Sequence, residues 1–100
     1  MRVAYSKEFV KAVQRLSGKQ LQSVIATLDA VKAAPSVEQV QNCKKIESLN
    51  SVYRIRIGNR RAFFVLHISI EGDLASFEYL VNRGEAYDKK NMDRLRLRDV

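Results

Sequence analysis

The chain predicts an α+β fold: two N-terminal helices packed on one face of a small, mostly antiparallel twisted sheet, closed by a short C-terminal helix or tail. Three observations carry this. Apolar residues recur at helical spacing from Phe9 to Val31. Beyond Val52 the period changes to two, as in strands whose faces differ. Between those strands stand Gly58-Asn59 and Gly72-Asp73, both hairpin-turn signals. Two amphipathic helices need a surface to cover, and one face of a small sheet supplies it, leaving the other face open.

The elements follow in order. "RVAY" is a short apolar run that reads as a first strand. Ser6 then stands at a helix N-cap, with Glu8 in the first turn and Phe9, Val13 and Leu16 on one stripe. Gly18 marks the stop of that helix. A second helix carries Leu21, Val24, Ile25, Leu28 and Val31, and ends near Ala34 because Pro35 cannot continue it. "PSVEQV" suits one short helical turn with Ser36 as its cap, and "NCKKIESLNS" a connector or edge strand. Three meander strands follow, Val52 to Ile57, Ala62 to Ile70 and Leu74 to Val81. Met92 and Leu95 keep helical spacing in the tail, which reads as a short basic helix that frays.

Composition bounds the function. One hundred residues, 46% of them hydrophobic and without repeats, make a single domain spanning 1–100. No stretch is long and apolar enough for a membrane span, and "MRVAYSKEF" does not read as a signal peptide. Cys43 is the one cysteine and His67 the one histidine, so zinc-ligand spacing is missing; Cys43 reads as a free thiol in a reducing cytoplasm. The formal charge of +7 points to polyanionic partners: nucleic acid, ribosome or an acidic protein. Charge that merely keeps the protein soluble is the plainer alternative.

The stretch "YRIRIGNRRAFFVL" sharpens this, with four arginines between Arg54 and Arg61. Alternation along strands puts Tyr53, Ile55 and Ile57 on a core face, and Arg54 and Arg56 opposite. In the next strand Ala62, Phe64, Leu66, Ile68 and Ile70 read as core, with Arg61, Phe63, Val65 and His67 on the other side. Arg54, Arg56 and Arg61 then converge on the open face, while Arg60 lies near the turn. Gathered guanidiniums repel, and an anion between them offsets the repulsion; the arginine fork matches phosphate oxygens. The competing reading is a solvated face whose arginines pair with Glu78 or with acidic residues of the tail. Arg83 closes the last strand and Tyr87 follows it, a phenol bordered by cations that favour its phenolate. Packing is the alternative for Tyr87, and for His67 a structural role stands ahead of a general base.

In order and spacing, these segments resemble the RelE/ParE superfamily of type II toxin–antitoxin toxins over nearly the whole chain. "YSKEFVKAVQRL" is similar to the family's opening helix. "PSVEQVQNCKKIESLNSVYRIRIGNRRAFFVL" is similar to its connector, basic strand, Gly turn and Arg-led strand. "LVNRGEAYDKK" is similar to its closing strand with an Arg…Tyr ending. The resemblance implies a RelE/ParE-like fold and, for RelE-type members, mRNA cleavage in the ribosomal A site. Carried over by position, Arg54 and Arg56 match residues that grip the RNA backbone. Arg61 matches the arginine at the scissile phosphate, and Arg83 and Tyr87 the closing arginine and tyrosine of the active site. Arg60, Lys89 and Lys90 are added as further phosphate contacts. Two positions depart from the pattern: Asn82 stands where relatives often carry a histidine, and arginines stand where some carry strand lysines.

The chemistry so implied is an endoribonuclease cut through the message's own 2′-OH, leaving a 2′,3′-cyclic phosphate, with no metal and no cofactor. Tyr87 is the base, Arg61 and Arg56 stabilise the phosphorane charge, and Arg83 holds the phosphate or the leaving oxygen. The expected partners are ribosome and mRNA, an acidic, partly disordered antitoxin segment, and operator DNA only through that antitoxin. The rival readings are a ParE-like DNA gyrase inhibitor and an inactive member kept as an antitoxin-bound, DNA-binding co-repressor.

Overall fold

In the computed structural model, which describes residues 1–100, the first strand β1 (Arg2–Tyr5) hands the chain directly to helix α1 (Lys7–Gln14). Ser6 makes that joint. Its hydroxyl oxygen accepts from the Phe9 N–H at 3.0 Å, an N-cap, while its own proton goes to the Glu78 carbonyl. Helix α2 (Gly18–Ala33) buries Val24, Leu28 and Val31 and stops where Ala34 turns extended before Pro35. Gly18 opens α2 rather than closing α1: it stands at φ +56°, a left-handed value that suits glycine, after α1 has ended at Gln14.

After a single 3-10 turn at Val37–Gln39 come β2 (Cys43–Lys45), β3 (Val52–Ile57), β4 (Arg60–His67) and β5 (Leu74–Asn82). The sheet runs β1-β5-β4-β3-β2, with β1 parallel to β5 and the other pairs antiparallel. β4 is shorter than the alternation predicts. Ile68 and Ile70 lie beyond its end and are exposed, 83% and 105%, because the strand stops at His67 and the chain turns there.

Under α1 and α2 lies the larger core, where the Phe77 ring packs on Phe9 and Phe64 with centroids 5.2 and 5.1 Å away. The second face of the sheet is not open. Helix α3 (Lys89–Arg98) crosses it, and Leu95 closes a second core with Ile46, Leu49, Val52, Phe63, Val65 and Tyr79. Nor does the tail fray. Asp88 caps α3 through the Asn91 N–H at 2.8 Å, and the Asp99 carboxylate accepts from the Asn50 and Ser51 N–H groups at 2.7 and 2.8 Å. The apolar residues of α3 are few, so these polar ties and the Leu95 contact, rather than periodicity, hold the helix in place.

A β-bulge decides what α3 touches. Phe63 pairs with Tyr79 and Phe64 with Phe77, leaving Glu78 without a partner on β4. Glu78 and Tyr79 both meet α3: the Glu78 carboxylate accepts from Arg98 at 2.7 Å, and the Arg94 guanidinium lies 3.8 Å over the Tyr79 ring. Glu78 is therefore committed to α3 and does not neutralise the strand arginines.

Candidate functional site

The arginines owe their placement to register. Across β3 and β4, Arg56 stands opposite Arg61 and Arg54 opposite Phe63; across β2 and β3, Lys44 stands opposite Arg54. Cross-strand partners share a face, so Lys44, Arg54, Arg56 and Arg61 line one side of the sheet, beyond the part that α3 covers. Lys44 has no signal in the local sequence, since only the pairing of β2 brings it there.

Arg61 is the centre of the group. Its Nη1 donates to the carbonyls of Gly58 and Arg60, each at 2.9 Å, which holds the guanidinium against the β3–β4 hairpin. Burial, then the fields of Arg54, Arg56 and Arg83, push its pKa down, and Tyr87 partly opposes them. The guanidinium stays charged, but its charge is under strain from three like neighbours. Arg56 donates weakly to Asn42 Oδ1 at 3.3 Å. Arg54 buries its Nε with no hydrogen-bond partner. A buried, unpartnered N–H on a cation is what a bound oxyanion would satisfy.

The chain after β5 completes the site. The Arg83 N–H donates to the Asn59 carbonyl at 2.8 Å, tying the 3-10 turn Arg83–Glu85 to the tip of the β3–β4 hairpin. Tyr87, 57% exposed, rests edge-on against Phe63, ring centroids 6.4 Å apart. Thus Arg54, Arg56, Arg61, Arg83 and Tyr87, all singled out from the sequence, come together.

Others do not join them. Arg60 pairs with Asn82 and Ile57 and faces the helix side, because neighbouring strand residues point oppositely. Lys89 is exposed and ion-paired to Asp93 at 2.8 Å. Lys90 lines a small recess with Glu85, Asp88 and Arg94. Phe63, expected among the groove residues, is fully buried and unavailable for stacking on a base. His67 lies six residues along β4 from Arg61, roughly 20 Å away at strand rise. Asn82 points its amide at Glu85, 3.4 Å away.

Known proteins share this architecture. Toxin RelE3 of Methanocaldococcus jannaschii is 28% identical over 89 residues, which cover 88% of this chain and 97% of the relative. The RelB-RelE antitoxin-toxin complex from Methanococcus jannaschii superposes with a TM-score of 0.65 at 22% identity, over 85% of this chain and 95% of that one. The archaeal RelE-RelB complex from Pyrococcus horikoshii OT3 gives 0.66 at 24% identity, over 85% and 97%. The intact E. coli RelBE toxin-antitoxin complex gives 0.61 at 14% identity, over 81% and 94%. No protein-family model matches the chain.

The fold is therefore that of the RelE-like toxins: three helices on a five-stranded mixed sheet. In sequence the chain is similar to a RelE toxin along almost its whole length, and its fold is the one that solved RelE chains share.

Proposed function

We propose that this chain is the toxin of a toxin–antitoxin pair and that it cuts mRNA on the ribosome through the message's own 2′-OH. One observation carries the reading: four guanidiniums and an exposed tyrosine converge on a face where no carboxylate neutralises them.

The reaction asks for a base, a charge sink and a proton for the leaving group. Tyr87 is the base that takes the 2′-OH proton; the 2′-oxygen attacks phosphorus, and the P–O5′ bond breaks. Arg61 and Arg56 stabilise the charge on the phosphorane, and guanidinium charge serves this role without calling on a metal. Arg54 holds the adjoining backbone, Arg83 stabilises the departing 5′-oxygen, and a water molecule protonates it. Positioning by the ribosome lowers the barrier further, because a correctly held nucleophile avoids much of the entropic penalty. Arg60, Lys89 and Lys90 take no part in this step.

A cognate antitoxin is the natural inhibitor. Solved relatives of this fold are complexes of RelB with RelE, which supports such a partner. An acidic, partly disordered antitoxin segment that orders on the arginine face would shield its charge in the cytoplasm.

Controlled expression in a bacterium tests the reading, with wild type beside Arg61→Ala and Tyr87→Phe. Growth arrest with new cuts in translated messages, lost in both variants, is the expected result. Arrest with DNA damage and intact messages would assign the chain to the gyrase inhibitors instead. Folded protein without arrest would leave the co-repressor reading.

A further inference from the structure

Arg60 and Arg61 are adjacent in β4 and point to opposite faces of the sheet. Arg60 reaches a cleft of about 500 Å³ at the edge of the sheet, between α1, the end of β5 and α3. Lys11, Arg15, Arg60 and Arg94 line it. None of the first three makes an ion pair, and Lys11 and Arg15 are exposed. Arg94 is already oriented, with Nε on Asn91 Oδ1 at 2.9 Å and its plane over Tyr79. Two carboxylates, Glu8 and Glu85, also border the cleft: Glu8 lies 3.7 Å from Arg98, and Glu85 accepts from the Asn82 amide, so the four cations outnumber them. Arg60 further borders a second recess that holds Lys19, so the basic surface continues past the hairpin along α2.

We infer that this cleft is a second RNA-backbone site, which takes the strand as it leaves the arginine face and passes around the β3–β4 hairpin. The inference rests on the reading of the chain as an RNA-cutting protein. Continuity is the argument for a nucleic acid over an acidic peptide. A phosphodiester chain carries a charge at every step, and here Arg61 on one face is followed by Arg60 on the other, with Arg15 and Lys11 lining the same cleft as Arg60. A short acidic peptide needs no such track. Unpaired arginine forks set in a mostly polar wall also fit phosphate oxygens better than side chains that need apolar seats.

The test uses uncleavable 2′-O-methyl RNA and the purified full chain. A tetranucleotide fills the arginine face alone, and a strand of about twelve nucleotides also reaches the cleft. Each phosphate contact on single-stranded nucleic acid contributes about 0.7 to the slope of log affinity against log salt. The variant Lys11→Ala/Arg15→Ala/Arg60→Ala is expected to bind the tetranucleotide like wild type. It should bind the long strand roughly tenfold more weakly, with a salt slope lower by about 2. The pair Lys11→Glu/Arg15→Glu, confined to exposed helix positions, repeats the measurement should loss of Arg60 disturb the hairpin. Unchanged affinity and slope for the long strand would overturn the inference and leave the arginine face standing. Wild type that binds neither RNA would overturn both. Loss of binding to a polyglutamate peptide with RNA binding unchanged would overturn it too and assign the cleft to an acidic protein.

Discussion

The ring of Tyr87 meets Phe63 edge to face, with centroids 6.4 Å apart and planes at 87°. One partner is more than half exposed and the other has no exposed surface, so a core residue fixes the aim of a surface residue. Tyr87→Phe keeps this contact and removes only the hydroxyl. Its stability should change by less than about 0.5 kcal/mol. Message cleavage should fall by roughly two to four orders of magnitude if the hydroxyl is the base. Denaturation and ribosome-dependent cleavage on the same preparation separate the two effects; retained cleavage would remove Tyr87 from the mechanism.

Arg54 offers a prediction in which stability and function part. Its Nε is buried without a partner, and it adds repulsion to Arg61. Arg54→Met keeps the stem and deletes the charge. The variant should be more stable, by about 1 kcal/mol, and should bind RNA more weakly. A loss of stability in a urea titration would mean that the guanidinium supports the fold rather than a ligand.

At Arg61 geometry outweighs charge. Two carbonyls of the hairpin hold one arm of the fork, leaving the rest for phosphate. Arg61→Ala should slow single-turnover cleavage by about 100- to 1,000-fold. Arg61→Lys should stay closer to alanine than to wild type, since lysine keeps the charge without the fork. Near-complete recovery by lysine would reduce Arg61 to a point charge.

Cys43 governs part of the alkaline stability. Burial raises its thiol from 9.0 to about 11, with Arg54 partly opposing. Burial raises Tyr53 as well. A raised folded pKa on a group that ionises to an anion means that the unfolded chain releases its proton first. Stability is therefore full below pH 9 and declines as pH rises toward 11. Cys43→Ala should flatten that decline in denaturant titrations run across the window, and a parallel curve would refute the assignment.

Arg98 joins α3 to the sheet through Glu78 at 2.7 Å, and Glu8 stands nearby at 3.7 Å. Because Arg98 is partly exposed, Arg98→Met should destabilise the protein by only about 1–2 kcal/mol. Hydrogen exchange should quicken across Lys89–Arg98 and stay unchanged in β4. Uniform acceleration would show that α3 and the sheet unfold as one unit.

Local chemistry explains what was legible beforehand. Ser6 as a cap, the Val24, Leu28 and Val31 face of α2, the break at Pro35 and both hairpins follow from spacing and turn residues within a few positions; Ile25, expected on that face, is exposed. Alternation within single strands also sorted Arg54, Arg56 and Arg61 correctly, because side-chain parity is a local property. It misplaced Ile68 and Ile70, since nothing local says where pairing stops. The docked tail was missed for a similar reason: Leu95 and the Asp99 bonds hold it, and their partners lie far along the chain.

By itself, then, the sequence determined the α+β class, the order of elements and the presence of a basic face, all of which rest on short-range periodicity and charge. The tertiary structure decided the rest. The β5 bulge drew Glu78 to Arg98, the pairing of β2 brought Lys44 beside Arg54, and α3 helped bury Phe63, whose ring aims Tyr87. Those outcomes depend on register between distant segments, where one inserted residue alters which side chains meet, and no local pattern records that choice.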